Sequence, residues 1–105
     1  MTQQNIEAKT LRDMLERDEQ ITVVDVRKRG QHAEGSIPGS VNFDAYDALK
    51  AGDERAMEGL ELPEGARVVT FCNRGHSGAL AAEQLRRQGH EAYSLEGGLE
   101  AWKGL

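Results

Sequence analysis

Residues 67–79 read RVVTFCNRGHSGA and contain three kinds of local sequence in immediate succession. Residues 67–72 are mostly apolar and β-branched, which is typical of a buried strand. The next five residues are polar and include Gly75, which is typical of a tight loop. The following stretch, residues 78–88, has apolar residues at helical spacing. The sequence therefore predicts a strand that ends at Cys72, a short loop and a helix.

The same alternation of strand and helix patterns extends along the rest of the chain. Residues 21–26, ITVVDV, form a second predicted buried strand, and residues 40–43 and 91–95 are weaker strand candidates. Apolar residues within residues 7–18, EAKTLRDMLERD, recur at helical spacing. Helices that alternate with strands are typical of a parallel sheet covered on both faces. We therefore expect an α/β fold with a central parallel sheet of about five strands.

Local signals suggest where helices begin and how the chain divides. Thr10 and Asp13 are candidates for a capping box near the start of the first helix. The acidic middle of the chain allows short helices at residues 45–50 and 54–60. Because no internal repeat or linker rich in Pro, Gly or Ser interrupts the sequence, we expect one domain over residues 1–105.

Composition limits the class of protein and its partners. With 105 residues, 38% of them hydrophobic, the chain can form one core without a metal or disulfide. The single cysteine, Cys72, excludes an intrachain disulfide and a multi-cysteine zinc site, and the three histidines lack ligand spacing. A net charge of -5 argues against nucleic acid and anionic membranes as partners. Since the sequence has no export or membrane-spanning run, we expect a cytoplasmic protein. We also expect a monomer or weak dimer, with neither a metal nor an organic cofactor.

The chemistry of the chain centres on Cys72. In an open parallel sheet, ligands bind beyond the carboxyl ends of the strands, where this sulfur is predicted to lie. The glycines of the loop let successive backbone N–H groups point into one concavity, and the helix that follows adds the partial positive charge of its N-terminus. Arg74 and His76 add positive charge to the same place, which favours a reactive thiolate and a bound anion. The alternative, a buried inert cysteine, does not explain why so polar a loop follows.

Two other cysteine chemistries fit the loop poorly. A cysteine-dependent phosphatase needs an arginine six positions after the cysteine to hold phosphate, and Gly78 occupies that position. A thiol–disulfide oxidoreductase needs a second cysteine, but Gly75 lies three positions after Cys72 and the chain has no other cysteine. Both activities are therefore disfavoured.

Three motifs together resemble the single-domain members of the rhodanese family of sulfurtransferases. The first is Asp25-Val26-Arg27 followed by GSIPGSVN at residues 35–42, the second is the six-residue loop CNRGHS at residues 72–77, and the third is LEGGLEAWK at residues 95–103. The chain departs from the usual family pattern at Gln31, His32 and Ser36, and it has Ser77 where many members carry a basic residue. The resemblance covers nearly the whole chain. It implies a three-layer domain with a central, mostly parallel five-stranded sheet and helices on both faces.

The resemblance also implies a site and an activity. Cys72 would be the nucleophile that takes sulfur from an anionic donor such as thiosulfate, becomes a persulfide and passes the sulfur to a thiol or a protein acceptor. Arg74 would recognise the donor. Ser77 would either donate a hydrogen bond to the persulfide or cap a helix that begins at Gly78, and its position favours the cap. The predicted substrate-binding residues are Asn73, Arg74, Gly75, His76, Ser77 and Gly78. The alternative is a carrier module that holds a persulfide for a protein partner with little turnover of its own.

Asp25 and Arg27 lie at the end of the second predicted strand and allow two interpretations. They could reach the face of the sheet that carries the site, because they lie at the carboxyl end of a central strand. The favoured interpretation is a buried ion pair that fixes the loop through Pro38. The same reasoning predicts a tight turn at residues 35–39 and a Trp102 that packs the last helix onto the sheet.

Overall fold

The computed structural model describes residues 4–17 and 19–105. Five strands and five helices alternate along this part of the chain. The strands are β1 (Asn5–Ile6), β2 (Ile21–Asp25), β3 (Val41–Asn42), β4 (Arg67–Phe71) and β5 (Glu91–Leu95). The helices are α1 (Ala8–Glu16), α2 (Arg29–Glu34), α3 (Tyr46–Lys50), α4 (His76–Arg87) and α5 (Gly98–Lys103).

The strands form one sheet in the order β1-β5-β4-β2-β3, and every pair of neighbours is parallel. β4 lies at the centre, with β2 and β5 paired along its two sides. The predicted parallel sheet of five strands is therefore confirmed. The sequence patterns did not identify β1, because its two residues are too few to produce a periodic signal.

The sheet has a separate hydrophobic core on each face, as a three-layer α/β fold requires. Along β4, Val68 points to the core beneath α3 and α4, whereas Val69 and Phe71 point to the core beneath α1 and α5. Since neighbouring residues of a strand face opposite sides, this apolar run covers both cores at once. Trp102 is half-buried against the second core, which confirms its predicted packing role.

Several predicted boundaries need correction. The capping box at Thr10 and Asp13 is wrong, because α1 begins at Ala8, Glu7 is the N-cap and no side chain caps the helix. The predicted span reached residue 18, which lies outside the described residues. The short helix predicted at residues 54–60 is also wrong. This segment consists of turns, and Gly59 has a φ of +93° that no right-handed helix contains.

α2 was not predicted, and its sequence explains why. The helix has six residues, RGQHAE, and none of them is buried. Without an apolar stripe, a helix carries no periodic signal. Within residues 4–17 and 19–105, no helix has the length and apolar character needed to cross a membrane.

Candidate active site

Cys72 lies directly after β4, at the carboxyl end of the central strand. Its Sγ accepts hydrogen bonds from the backbone N–H groups of Gly75, at 3.1 Å, and Gly78, at 3.3 Å. The residue is only 5% exposed, yet its side chain borders a surface cavity. Two amide dipoles therefore point at a sulfur atom that a small molecule can approach, an arrangement that stabilises negative charge on the sulfur.

The loop takes this shape because glycine occupies two positions that other residues cannot easily fill. Gly75, the N-cap of α4, has a φ of +113°, which residues with a side chain rarely adopt. At Gly78, a Cβ atom would lie 3.0 Å from Phe71 Cα, so α4 can approach the end of β4 only without a side chain there. An arginine at this position, as a phosphatase would need, does not fit in that space.

α4 begins at His76, two residues earlier than predicted, and this changes the expectation for Ser77. The cap assigned to Ser77 is wrong, because Ser77 lies inside the first turn and the cap position belongs to Gly75. Ser77 is buried, whereas the neighbouring His76 is exposed. Both residues border the cavity beside Cys72.

The N-terminus of α5 holds the loop from the other side. The backbone N–H of Leu99 donates to the carbonyl of Cys72 at 2.8 Å, and that of Glu100 donates to the carbonyl of Asn73 at 3.1 Å. Gly98 makes this approach possible, because a Cβ there would lie 2.5 Å from the Cys72 carbonyl oxygen. The Gly-Gly motif before α5 therefore positions the backbone of the candidate nucleophile. Sequence analysis identified the motif but did not predict this contact.

Asp25 and Arg27 form a buried ion pair behind the loop. Arg27 donates to both carboxylate oxygens of Asp25, with the shortest contact, from Nη2, at 2.7 Å. Nη2 also donates to the carbonyl of Gly35 at 2.7 Å, and Nη1 donates to Asn73 Oδ1 at 3.3 Å. Arg27 thus links the segment before Pro38 to the first residue after the cysteine. This geometry matches the favoured interpretation of a structural ion pair.

Two further side chains complete the surroundings of Asp25. Ser36 Oγ donates to Asp25 Oδ2 at 2.9 Å, and His32 Nδ1 lies 2.9 Å from the same oxygen. Burial by itself raises the pKa of Asp25, but the hydrogen bonds from Arg27, His32 and Ser36 outweigh burial and hold the pKa below its ordinary value. Two of the departures from the family pattern, His32 and Ser36, therefore converge on one carboxylate. Sequence analysis missed that shared role, since the two residues are brought to Asp25 only by the fold.

A cavity of about 390 Å³ opens next to Cys72. The loop and the start of α4 contribute five of its lining residues, and α3 contributes two, Tyr46 and Lys50. The loop residues are Cys72, Asn73, Arg74, His76 and Ser77. Sequence analysis did not select Tyr46 and Lys50. Their spacing of four residues places them on one face of a helix, but only the tertiary structure turns that face towards the loop.

Arg74, the predicted donor-recognition residue, lies at the rim of this cavity. Its side chain is 85% exposed, and its Nε is 3.9 Å from a carboxylate oxygen of Glu100, itself largely exposed. A contact of this length between exposed groups restrains the guanidinium only weakly. Arg74 is therefore free to turn towards an anion in the cavity.

A larger cavity, of about 540 Å³, lies at the opposite end of the sheet. Its lining includes Thr22, Gly65 and Arg67, which are near the amino ends of β2 and β4. No cysteine or histidine is among its lining residues. In parallel α/β sheets the carboxyl ends of the strands carry the ligand site, so we assign the candidate site to the cavity at Cys72.

Comparison with known proteins agrees with this geometry. The model of the rhodanese-like domain matches residues 7–105. The chain is 33% identical to the thiosulfate sulfurtransferase GlpE of Pseudomonas aeruginosa PAO1 over 105 residues, which cover 99% of this chain and 87% of that protein. It is 36% identical to GlpE of Stutzerimonas stutzeri over 85 residues, which cover 77% of this chain and 69% of that protein.

Solved structures give the same result. A human single-domain sulfurtransferase, TSTD1, superposes with a TM-score of 0.76 at 25% identity, and the match covers 98% of this chain and 97% of the human chain. The family match spans the cysteine loop, the Asp25–Arg27 pair and the helix α5 that holds the loop. The chain therefore belongs to the rhodanese-like family of sulfurtransferases.

Proposed function

We propose that this protein transfers sulfane sulfur from thiosulfate to a thiol or a protein acceptor through a persulfide on Cys72. One observation carries the proposal: Cys72 Sγ accepts two backbone N–H groups, from Gly75 and Gly78, at the edge of an open cavity. The names of the relatives support thiosulfate as the donor, since two of them are thiosulfate sulfurtransferases. We further propose that one domain, residues 1–105, carries out the whole reaction.

The first step forms the persulfide. The Cys72 thiolate attacks the outer sulfur of thiosulfate and a new S–S bond forms. The S–S bond of thiosulfate breaks, and sulfite leaves with the bonding electron pair. The enzyme is left with an anionic persulfide, so the total charge is conserved. The amides of Gly75 and Gly78 stabilise negative charge on Cys72 before the attack.

The second step returns the enzyme to its starting state. A thiolate acceptor attacks the terminal sulfur of the persulfide and forms its own persulfide. The S–S bond at Cys72 breaks, and its electron pair stays on Sγ as the regenerated thiolate. Cyanide would accept the sulfur in the same way and leave as thiocyanate. No external oxidant or reductant enters the cycle.

The other residues of the loop have supporting roles in this proposal. Arg74 provides positive charge for the donor, His76 supplies an imidazole group, and Ser77 supplies a hydroxyl group at the cavity wall. Asn73 is held by Arg27 and is therefore a positioning residue as well as a wall of the cavity. Asp25 and Arg27 act behind the loop and keep its shape. Because the nucleophile is a free thiol, we propose a cytoplasmic location, where such thiols stay reduced.

Intact-mass spectrometry tests the proposal. Wild-type protein incubated with thiosulfate should gain the mass of one sulfur atom, and a thiol reductant should remove it. Cys72→Ala should gain nothing while it keeps the thermal stability of a folded domain. A wild-type protein that gains no sulfur, or a Cys72→Ala variant that transfers sulfur to cyanide, would contradict the mechanism.

Steady-state turnover distinguishes an enzyme from a carrier. With thiosulfate in excess and cyanide or a small thiol as acceptor, an enzyme produces many equivalents of sulfite per Cys72. A carrier loads one sulfur atom and stops until its protein acceptor is added. We expect repeated turnover, because the cavity beside Cys72 is open to solvent and small acceptors can enter it.

A further inference from the structure

We infer that Lys50, oriented by Tyr46, forms a second cationic contact for the negatively charged end of the sulfur donor. The first contact, Arg74, belongs to the cysteine loop, whereas Lys50 belongs to a different element. The inference rests on the proposed function and adds a specificity-determining residue to the same site. Lys50 and Tyr46 belong to α3, which precedes the central strand in the chain and carries no part of the three sequence motifs.

The composition of the cavity wall favours an anionic ligand. Lys50 and Arg74 border the cavity at Cys72 from two different elements, and His76 also lines it. None of the seven lining residues is acidic. The chain as a whole carries a net charge of -5, so a wall with two permanent cations and no carboxylate differs from the average surface of this protein. Such a local concentration of one charge favours a ligand of the opposite charge.

Tyr46 restrains the ammonium group of Lys50. Lys50 Nζ donates to the Tyr46 hydroxyl oxygen at 3.1 Å and lies 5.2 Å from the centre of the Tyr46 ring. The two side chains are one helical turn apart, which is the spacing at which helix residues touch. The hydrogen bond from Lys50 to Tyr46 raises the pKa of the lysine above its ordinary value, so the ammonium group is charged at neutral pH. The lysine is therefore restrained without losing its charge.

The positive charge of Lys50 is available to an incoming anion. Lys28 Nζ also approaches the Tyr46 ring, at 5.7 Å from its centroid, and it lies 3.6 Å from a carboxylate oxygen of Asp47. Lys28 thus has a carboxylate partner. Within residues 4–17 and 19–105, Lys50 forms no salt bridge, and it donates to the Tyr46 hydroxyl instead. The Asp47 carboxylate also helps to raise the pKa of Lys50, but it lies beyond salt-bridge distance, so the ammonium group at the cavity wall can bind an incoming anion.

The chemistry of the donor explains why a second cation is needed. The outer sulfur of thiosulfate must reach Cys72 at the cavity wall, so its sulfonate end lies on the side away from Cys72. This end leaves as sulfite and carries most of the negative charge throughout the reaction. A cation that contacts it in both the ground state and the transition state lowers KM more than it raises kcat.

The direct test compares Lys50→Gln with wild type in steady-state turnover of thiosulfate. We expect KM for thiosulfate to rise about 3- to 10-fold, with kcat changed less than about 2-fold. Lys50→Arg keeps the charge and should keep KM within about 2-fold of wild type. Lys9→Gln is the matched control, because Lys9 is an exposed lysine of α1, on the other face of the sheet, and its loss should leave KM unchanged. A KM for Lys50→Gln equal to that of wild type overturns the inference.

Tyr46→Phe tests the orienting role. The change removes the hydroxyl acceptor and keeps the aromatic ring, so KM should rise by less than in Lys50→Gln. Adding Lys50→Gln to Tyr46→Phe should then raise KM no further than Lys50→Gln does alone. Effects that multiply in the double variant would mean that Tyr46 does not act through the lysine.

A donor of lower charge separates recognition from structural damage. Methanethiosulfonate carries one negative charge where thiosulfate carries two, and its sulfinate leaves as sulfite does. We expect Lys50→Gln to raise KM less for methanethiosulfonate than for thiosulfate. An equal rise for both donors would indicate a general change of the site and would contradict the inference.

A binding experiment separates failure of this inference from failure of the proposed function. Sulfate cannot donate sulfur, but it should slow the alkylation of Cys72 by neutral iodoacetamide in wild type, and Lys50→Gln should need several-fold more sulfate for the same protection. If protection depends on Lys50 while thiosulfate transfers no sulfur to Cys72, the anion site stands and the proposed function fails. If wild type gains sulfur but sulfate protection and KM are the same in Lys50→Gln as in wild type, the inference fails and the proposed function stands.

Discussion

The charge of Asp25 is fully removed from solvent, and its partners decide whether that burial stabilises or destabilises the fold. Burial of a carboxylate costs free energy unless hydrogen bonds and an opposite charge compensate. Here Arg27 supplies both, and Ser36 and His32 bind the same carboxylate. Since Arg27 also binds Asn73, any loosening of the ion pair would be transmitted to the residue next to Cys72.

The lowered pKa of Asp25 predicts a specific pH dependence of stability. Because the folded pKa lies below the ordinary value of 3.8, the stabilisation is fully present above about pH 4 and is lost as the pH falls through the folded pKa. Ser36→Ala removes one hydrogen bond to the charged carboxylate and should cost about 1–2 kcal/mol of unfolding free energy at pH 7. The difference from wild type should shrink below pH 4. Urea denaturation at several pH values measures it.

Ser40→Ala is the control for this prediction. Ser40 Oγ lies 2.9 Å from Ser36 Oγ but forms no hydrogen bond with the Asp25 carboxylate, so its removal should cost the same free energy at pH 7 and below pH 4. If the cost of Ser36→Ala were equally independent of pH, Ser36 would not be stabilising the charged form of Asp25.

At the level of elements, the site depends on how closely α5 approaches the cysteine loop. The backbone N–H groups at the start of α5 bind the carbonyls of Cys72 and Asn73 directly. These bonds satisfy polar groups that are unpaired at a helix start and at the end of a strand. The helix therefore fixes the backbone that carries the sulfur, although none of its side chains lines the cavity.

Gly98→Ala should disrupt this contact. The residue has a φ of +62°, and its new Cβ would lie 2.5 Å from the Cys72 carbonyl oxygen, a backbone atom that cannot move freely. We expect a loss of about 2–4 kcal/mol in unfolding free energy, from backbone strain and from the clash together. Loading of Cys72 with sulfur should slow as well. Urea denaturation and intact-mass kinetics measure the two effects.

The matched control is the same substitution at Gly30. A Cβ there would meet no atom within 4 Å, and the residue lies in helix α2. Gly30→Ala should change the unfolding free energy by no more than about 1 kcal/mol, in the stabilising direction, because alanine favours helix. A Gly98→Ala variant as stable as Gly30→Ala would show that the close approach of α5 is not required.

At the level of the whole molecule, screening by salt limits how far the acidic residues can affect an anion bound at Cys72, whereas Lys50 and Arg74 line the cavity itself. The molecule measures 33 × 30 × 26 Å, whereas charges are screened beyond about 8 Å at physiological ionic strength. A strand rises roughly 3.3 Å per residue, so the five residues of β4 separate Cys72 from the amino end of the sheet by roughly 16 Å. We therefore expect an anionic donor to respond to the residues at the cavity and hardly to the net charge of -5.

Glu64→Gln tests whether a charge far from the cavity affects donor binding. Glu64 is exposed in the turn before β4, at the far end of the sheet. Its neutralisation should leave KM for thiosulfate within about 1.5-fold of wild type at 0.15 M salt. For wild type, KM should rise steadily as salt is added, because ions screen the cavity wall. A KM for Glu64→Gln that falls several-fold would mean that the overall charge controls donor binding.

Much of the fold could be predicted because its central strands carry strong local patterns. β2 and β4 are short β-branched runs that cover both faces of the sheet, and their alternation with helices indicates parallel pairing. The cysteine loop was likewise identifiable from its residue types, and its placement at the end of β4 follows from the strand pattern. The identification failed for β1 and α2, where two strand residues and an exposed helix carry no periodicity.

Local sequence patterns are sufficient to identify the family, the parallel sheet and the position of the one cysteine, because these depend on residues close together in the chain. Which distant residues surround that cysteine becomes visible only in the folded molecule. The fold brings Lys50 and Tyr46 to the cavity wall, His32 and Ser36 to Asp25, and the backbone of α5 to the Cys72 carbonyl. The physical reason is that these contacts join surfaces of separate elements. Helix faces and loop backbones meet only when burial of the two cores fixes how the elements pack.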